Sequence, residues 1–385
     1  MSTAPGHPRQ ARAAARAGDV AAPVGRQRRA LVMAGGTGGH IFPGLAVAHA
    51  LRARGWSVSW LGGKGAAGRP SMESQLVPPQ GFAFESLDFS GVRGKGPLTL
   101  AVLPLRLLRA FWQSIQVIRR LRPQVVVGLG GYITFPGGMM AVLLGKPLLL
   151  HEQNAIAGLS NRTLARVADK VLTAFPETLP RATWCGNPVR REIAALPPPA
   201  LRYAGRVGRL RLLVLGGSLG AQALNEVLPK ALAMLPFALR PQVTHQSGAK
   251  QIEQLRAGYA QANVVADARP FIDDMAAAYG AADLVICRAG AMTVAEVACA
   301  GVAALFVPFP YAVDDHQTAN AAFLSAQGAA LLVQQRDLNP AMLADMLKDL
   351  TRERCLGLAQ QARALAKPGA AEIVARACID LAEHS

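Results

Sequence analysis

The chain has 385 residues, 51% of them hydrophobic, which is enough for two α/β domains with full cores and excludes a disordered protein. Its net charge of +17 favours anionic partners, but aromatics are only 5% and no basic stripe carries interleaved aromatics, so an anionic membrane surface is preferred over nucleic acid. Cys185, Cys287, Cys299, Cys355 and Cys378 form no CxxC pair, which argues for a reduced cytosolic compartment and against a zinc site.

Residues 1–27, rich in Ala, Arg, Gly and Pro without an apolar run of secretory type, read as a disordered basic tail. Ala30-Leu31-Val32-Met33-Ala34 reads as a strand that ends in Gly35-Gly36-Thr37-Gly38-Gly39. A helical pattern through Leu45, Val47, Ala48 and Leu51 follows and stops near Gly55, and residues 58–61 form a second strand. Over residues 98–122, Leu108, Phe111, Trp112, Ile115 and Ile118 recur at helical spacing among Arg106, Arg109, Arg119, Arg120 and Arg122, with Arg93 and Lys95 just upstream. Such a basic amphipathic helix suits the headgroup region of an anionic membrane, with Phe111, Trp112 and Ile115 as the inserting face; the plain alternative packs the same stripe on the sheet.

Residues 123–145 carry no charge and are long enough to span a bilayer, but six glycines, two prolines and a Gly130-Gly131-Tyr132 break mark a strand at 124–128, a glycine loop and a short helix. Further strands are expected at 147–150 and 171–173, and the Pro-rich residues 196–200 lie near a domain join. The pattern then restarts: a strand at 210–215, the turn Gly216-Gly217-Ser218-Leu219-Gly220, a helix at 221–235, strands at 283–287 and 304–307, and a last helix at 369–383 after Lys367-Pro368. Two halves that each open with strand, glycine turn and helix imply two Rossmann-like, doubly wound parallel-sheet domains that face each other. We assign residues 28–188, with the C-terminal helix 369–385, to the first domain and 189–368 to the second.

Glycine turns after strands let backbone N–H groups approach phosphate closely, and the helix dipole behind them favours negative charge. None of the three turns matches the dinucleotide pattern and no GxxxxGK[ST] is present, so phosphate or diphosphate ligands are implied without NAD or ATP. His40 closes the first turn at a helix start, where it is either a base or donor beside a bound anion or a packing residue. His151-Glu152-Gln153-Asn154 follows a strand, at the edge where open α/β sheets bind ligands. In Cys287-Arg288-Ala289-Gly290-Ala291-Met292-Thr293-Val294-Ala295-Glu296, Thr293 helps to begin a helix and Glu296 stands one turn inside it, a place from which a carboxylate reaches two ribose hydroxyls. Asp314-Asp315-His316-Gln317, with Asn320, fits a sugar-binding loop better than a metal site.

Together these segments resemble the MurG family, the UDP-N-acetylglucosamine transferases that make lipid II from lipid I. The residues that carry the resemblance are Gly35-Gly36-Thr37-Gly38-Gly39-His40-Ile41-Phe42-Pro43-Gly44, Gly130-Gly131-Tyr132, His151 to Gly158, Gly186-Asn187-Pro188-Val189-Arg190, Gly216 to Ala221, Cys287 to Glu296, and Asp315-His316-Gln317 with Asn320. The resemblance implies a GT-B fold whose last helix returns to the first domain. It implies that Glu296 takes the ribose of UDP-N-acetylglucosamine and Ser218 the phosphates, while Arg190, Ile272, Ala291, Met292, Thr293 and Val294 line the uridine and diphosphate pocket. Gln317 would contact the sugar, and Thr37, Gly38, Gly39 and Asn154 would reach it from the other domain. Gly36, Gly131, Tyr132 and Glu152 would face the diphosphate of undecaprenyl-linked lipid I. An α-linked donor that yields a β-1,4 product requires inversion, with His40 as candidate base and no cofactor or metal. The implied place is the cytoplasmic face of the bacterial inner membrane, as a peripheral protein beside cell-wall synthesis and division proteins. A GT-B transferase for another acceptor, or a non-catalytic membrane-associated nucleotide-sugar binding module, would carry similar loops.

Overall fold

The computed structural model describes residues 27–66, 69–89, 101–217 and 220–384. The basic tail up to residue 26, Arg93, Lys95 and Ser218 lie outside the described residues. The first sheet contains β1 (Arg29–Met33), β2 (Ser57–Gly63), β3 (Ala83–Leu87), β4 (Val125–Gly128), β5 (Leu148–Glu152), β6 (Lys170–Thr173) and β7 (Thr183–Trp184), in the order β3-β2-β1-β4-β5-β6-β7. The second contains β8 (Arg211–Leu215), β9 (Gln242–Gln246), β10 (Asp267–Arg269), β11 (Leu284–Cys287), β12 (Ala303–Phe306) and β13 (Leu331–Leu332), in the order β10-β9-β8-β11-β12-β13. Every pairing in both sheets is parallel, so each is a doubly wound sheet with helices on both faces.

The apolar runs explain this burial. Along β1, Ala30 and Val32 point into one core and Leu31 and Met33 into the core on the opposite face. In β8, Leu212 and Val214 part from Leu213 and Leu215 in the same way. The helices of the first half are α1 (Gly38–Arg52), α2 (Met72–Leu76), α3 (Leu103–Leu121), α4 (Thr134–Leu143) and α5 (Leu159–Leu164). Trp60 on β2 is fully buried and donates its indole N–H to the Ala34 carbonyl at 3.0 Å. Its ring lies where a Cβ on Gly44 would stand 2.5 Å away, so α1 needs glycine there to pack on the sheet.

After β7 come α6 (Arg191–Ala194), α7 (Pro199–Tyr203), α8 (Gln222–Met234), α9 (Ile252–Gln261), α10 (Met275–Ala281), α11 (Ala291–Ala300), α12 (His316–Ser325), α13 (Pro340–Lys348), α14 (Arg352–Ala364) and α15 (Ala370–Glu383). The Pro-rich join therefore contains the short helix α7. Fully buried Asp283 clamps this region: it pairs with Arg206, takes the Arg211 N–H at 2.9 Å and pairs with Arg352 of α14 at 3.2 Å. The chain recrosses before α15, which packs on α1 and β4 of the first half. At the double crossing a Cβ on Gly186 would stand 2.3 Å from the Lys367 side chain, and the Lys367 ammonium lies 4.2 Å from the Trp184 ring centroid. Residues 123–145 fold as β4, the glycine loop and α4; among the described residues no helix is long and apolar enough to cross a membrane.

Two buried histidines carry a pH signature. Burial lowers His151 from 6.5 to about 4, against the opposing effect of its bond to the Gly186 carbonyl, and lowers His245, which bonds Tyr259, to about 3. Both are neutral when folded and take up protons near 6.5 when unfolded. Their contribution is therefore complete above pH 6.5 and is lost as pH falls, by roughly 3 kcal/mol per histidine by pH 4. Urea midpoints measured across that interval are expected to fall, and His245→Phe is expected to make the slope shallower. An unchanged slope in His245→Phe would assign the acid loss to other groups.

Candidate active site between the two sheets

The first glycine turn lies at the carboxyl edge of β1, the third at that of β8, and the turn from 288 to 290 at that of β11. The helices that follow, α1, α8 and α11, have Thr37, Ala221 and Gly290 at their N-caps, and none receives a side-chain cap bond. Four other helices do, with Ser71, Asp274, Asn339 and Thr351 capping α2, α10, α13 and α14, while the remaining described helices also lack such a bond. The uncapped ends leave first-turn amides and a positive dipole end for an anion. The N-cap of α11 is Gly290, three residues before Thr293.

Glu296 is buried inside α11. Its Oε1 accepts from Arg190 Nη2 at 2.9 Å and Nε at 3.2 Å, and its Oε2 accepts from the Tyr279 hydroxyl at 3.2 Å. Burial raises its pKa, opposed by the Arg190 charge and by both hydrogen bonds. The Arg190 side chain is 42% exposed and that of Glu296 only 11%, so this partner can leave towards solvent. Ala291 and Val294 are buried and Met292 and Thr293 half-buried. Ile272 is buried, and its N–H donates to Gln246 Oε1 at 3.0 Å. Gln317 Oε1 accepts from the N–H groups of Ala289 (3.2 Å) and Phe309 (3.0 Å), which ties the two loops.

The facing edge belongs to the first domain. Thr37 and Gly39 are exposed, and Gly38, His40 and Asn154 half-buried. His40 Nδ1 lies 2.8 Å from Gln153 Oε1. The Gln153 carbonyl accepts from Asn187 Nδ2 at 3.0 Å, and the same amide donates to the Ala291 carbonyl at 3.3 Å. His40 is thus linked by hydrogen bonds and a short stretch of chain to the first residue of α11. Asn320 of α12, fully buried, accepts from the Ala155 N–H at 2.8 Å and donates to Asn154 Oδ1 at 3.3 Å. Helices α1 and α11 also approach each other. These bonds bring Gln153, Asn154, Asn187, Ala291 and Asn320 together where the two domains meet.

Three of the named side chains are engaged within the fold. Glu152 is buried and accepts from the Asn154 N–H (2.9 Å), the Gly158 N–H (3.2 Å) and Asn161 Nδ2 (2.9 Å), bracing that loop. On α3, Phe111 and Ile115 are half-buried against the first domain, with Phe111 6.1 Å from the Phe135 ring centroid. The exposed apolar row is Leu105 (70%), Leu108 (63%) and Trp112 (60%).

Sequence reasoning passed over Glu73 and Tyr279. Fully buried Glu73 accepts from the N–H groups of Gly63 (2.9 Å) and Gly36 (3.3 Å) and from the Tyr132 hydroxyl (3.4 Å). Burial, with Glu73 alongside, pushes Tyr132 up to about 12. Gly131 adopts φ +86°, and a Cβ there would stand 2.2 Å from the Gly35 carbonyl, so the two glycine loops touch backbone to backbone. Glu73 and Tyr279 belong to no motif; Gln153 and Asn187 stood inside quoted segments, and only their partners were hidden. Among the described residues no group of three or more His, Cys, Asp or Glu is arranged to hold a metal ion.

Residues 30–173 match the glycosyltransferase family 28 N-terminal domain and residues 211–377 its C-terminal domain. The UDP-N-acetylglucosamine--N-acetylmuramyl-(pentapeptide) pyrophosphoryl-undecaprenol N-acetylglucosamine transferase of Polaromonas naphthalenivorans is 66% identical over 359 residues, 93% of this chain and 100% of the relative. The transferase of the same name from Ralstonia nicotianae is 66% identical, over 91% of this chain and 96% of its own. The crystal structure of Acinetobacter baumannii MurG superposes with a TM-score of 0.81 at 42% identity, covering 92% of this chain and 99% of that one. Two parallel-sheet domains that meet across a cleft make up the GT-B fold, and with both domain models matched in order the chain belongs to glycosyltransferase family 28.

Proposed function

We propose that this chain transfers N-acetylglucosamine from UDP-N-acetylglucosamine to lipid I, the undecaprenyl-linked diphosphate of N-acetylmuramyl-pentapeptide, giving lipid II. One observation carries the reading: the uncapped N-terminus of α11, with Glu296 behind it, is bonded through Asn187 to the segment that holds His40. The names of relatives 66% identical along nearly the whole chain supply the substrates.

In this reading Glu296 exchanges Arg190 for the ribose hydroxyls. The first-turn amides of α11 and Ser218 hold the diphosphate, and Arg190, Ile272, Met292 and Val294 border the uridine. Gln317, through its amide nitrogen, and Asn154, with the Thr37 to Gly39 turn, flank the sugar. The acceptor diphosphate lies over the loops of Gly36, Gly131 and Tyr132, without Glu152. The acceptor hydroxyl oxygen attacks the anomeric carbon from the face opposite UDP, and the bond to the diphosphate oxygen breaks. The proton passes to His40, while Arg190 and the α11 dipole stabilise the departing UDP.

The acceptor's lipid stays in the membrane, so the cleft must open close to that surface. A helix that crosses over from β3 begins at the carboxyl edge of the sheet, which is the cleft side. The first turns of α3, with exposed Leu105 and Leu108 beside Arg106 and Arg109, therefore stand at that end. We assign this row, continued by Trp112, to the anionic inner leaflet, the protein resting on it peripherally from the cytoplasm.

Three measurements test the reading. UDP is expected to be released from UDP-N-acetylglucosamine only when purified lipid I is present; release independent of lipid I, or none with it, overturns the assignment. Glu296→Ala strips Arg190 and Tyr279 of their shared partner and should weaken UDP-N-acetylglucosamine binding by about 1–3 kcal/mol in calorimetry; unchanged affinity would remove Glu296 from the ribose. Replacing Leu105, Leu108 and Trp112 together by Ser should lower binding to anionic phospholipid vesicles by roughly tenfold or more at unchanged thermal stability. Wild-type vesicle binding would leave that row without its role.

A further inference from the structure

The hydrogen bonds behind His40 have a direction, and two backbone carbonyls set it. His151, fully buried, places Nε2 2.9 Å from the Gly186 carbonyl, which only accepts, so Nε2 carries the proton and Nδ1 keeps its lone pair. Gln153, 1% exposed, places its amide nitrogen 3.0 Å from that Nδ1 and 2.9 Å from the His151 carbonyl. Both neighbours are acceptors and the amide nitrogen has two hydrogens, one for each. The opposite amide orientation would set Oε1 against the carbonyl oxygen, so the orientation of Gln153 is fixed. Its Oε1 therefore faces outward, 2.8 Å from His40 Nδ1. An oxygen without a hydrogen accepts only, so His40 Nδ1 must donate.

We propose that Gln153 and His151 are positioning residues that fix His40 as its Nδ1–H tautomer, so that its Nε2 holds a lone pair for the proton of the acceptor hydroxyl. The inference rests on the reading of His40 as base. It matters because neutral histidine in water favours the other tautomer, whose Nε2–H is a donor and cannot take a proton. Several features hold the relay still. The backbone of Gln153 is tied to the domain crossing through Asn187. The imidazole of His40 lies against Gly130, where a Cβ would approach its Nδ1 and Cε1 to 2.9 Å. Burial holds His151 neutral, and a proton on its Nδ1 would confront the Gln153 amide hydrogens. The same geometry separates the roles within one tetrapeptide: Glu152 braces the loop, Asn154 meets the other domain, and His151 and Gln153 serve His40.

The full chain with 15N-labelled histidine tests this directly, since ring-nitrogen shifts report which nitrogen is protonated. Wild-type His40 at neutral imidazole is expected to be Nδ1–H and Gln153→Met predominantly Nε2–H. A wild-type His40 with its proton on Nε2, or a tautomer unmoved by Gln153→Met, overturns the proposal. In the transfer assay Gln153→Met should lower kcat by about tenfold or more, with the KM for UDP-N-acetylglucosamine changed less than about twofold, and should cost nothing further in a His40→Ala background. Additive losses in the double variant would overturn the action through His40. Full activity of His40→Ala alone would instead remove the base assignment, and the nitrogen shifts would still decide the tautomer.

Discussion

Everything functional in this molecule depends on a small set of amide hydrogen bonds that hold two separately folded sheets edge to edge. Each domain has a core on both faces of its sheet, and one core of the second also takes in Ala174 and Phe175 of the first. Across the boundary, Asn320 grips Ala155 and Asn154, and Asn187 bridges Gln153 and Ala291. At about 1 kcal/mol net for a buried hydrogen bond, these contacts add on the order of 3 kcal/mol to the packing of Phe175 and Trp184 on Phe323. Such a boundary specifies how the edges face each other without welding them. That suits a cleft which admits a nucleotide sugar from one side and a lipid diphosphate from another.

The fold was legible wherever burial on both faces forces a continuous apolar run. β1, β4, β5, β8, β11 and β12 are such runs, and each glycine turn announced the helix behind it. Two strands with mixed side chains, β3 and β9, were not read. β3 is Ala-Phe-Glu-Ser-Leu and β9 is Gln-Val-Thr-His-Gln, and neither shows apolar continuity. In β9 the reason is chemical: His245 and Gln246 are buried polar groups with fixed partners, Tyr259 for one and the Ile272 N–H for the other. The shortest strands, β7 and β13, have two residues each and exist only because a formed sheet extends to them.

The site divides along the same line. Turns that offer backbone N–H groups were visible because glycine is what such turns require. Side-chain pairing was not, because partners such as Arg190 and Glu296 lie 106 residues apart. On α3 the apolar stripe was evident from spacing, but its two flanks differ by single positions. A step of one residue turns about 100° around a helix, which carries Phe111 onto Phe135 and Trp112 into solvent. Sequence periodicity gives the stripe; only the neighbour across the groove says which edge of it is spare.

The three carboxylates of the cleft show how one residue type is put to two uses. Glu73 and Glu152 spend their oxygens on N–H groups and side chains of the loops they stabilise. Their charge is met by those donors, and the loops gain rigidity. Glu296 differs because its main partner is exchangeable. Arg190 is close to half exposed, and burial raises the carboxyl's pKa even with the guanidinium in place. In the proposed reading a buried acid so poorly solvated gains from two well-placed ribose hydroxyls, and the arginine they displace stays beside the donor diphosphate. Partner exposure, more than the carboxylate's own burial, thus separates a group that shapes the site from one that answers a ligand.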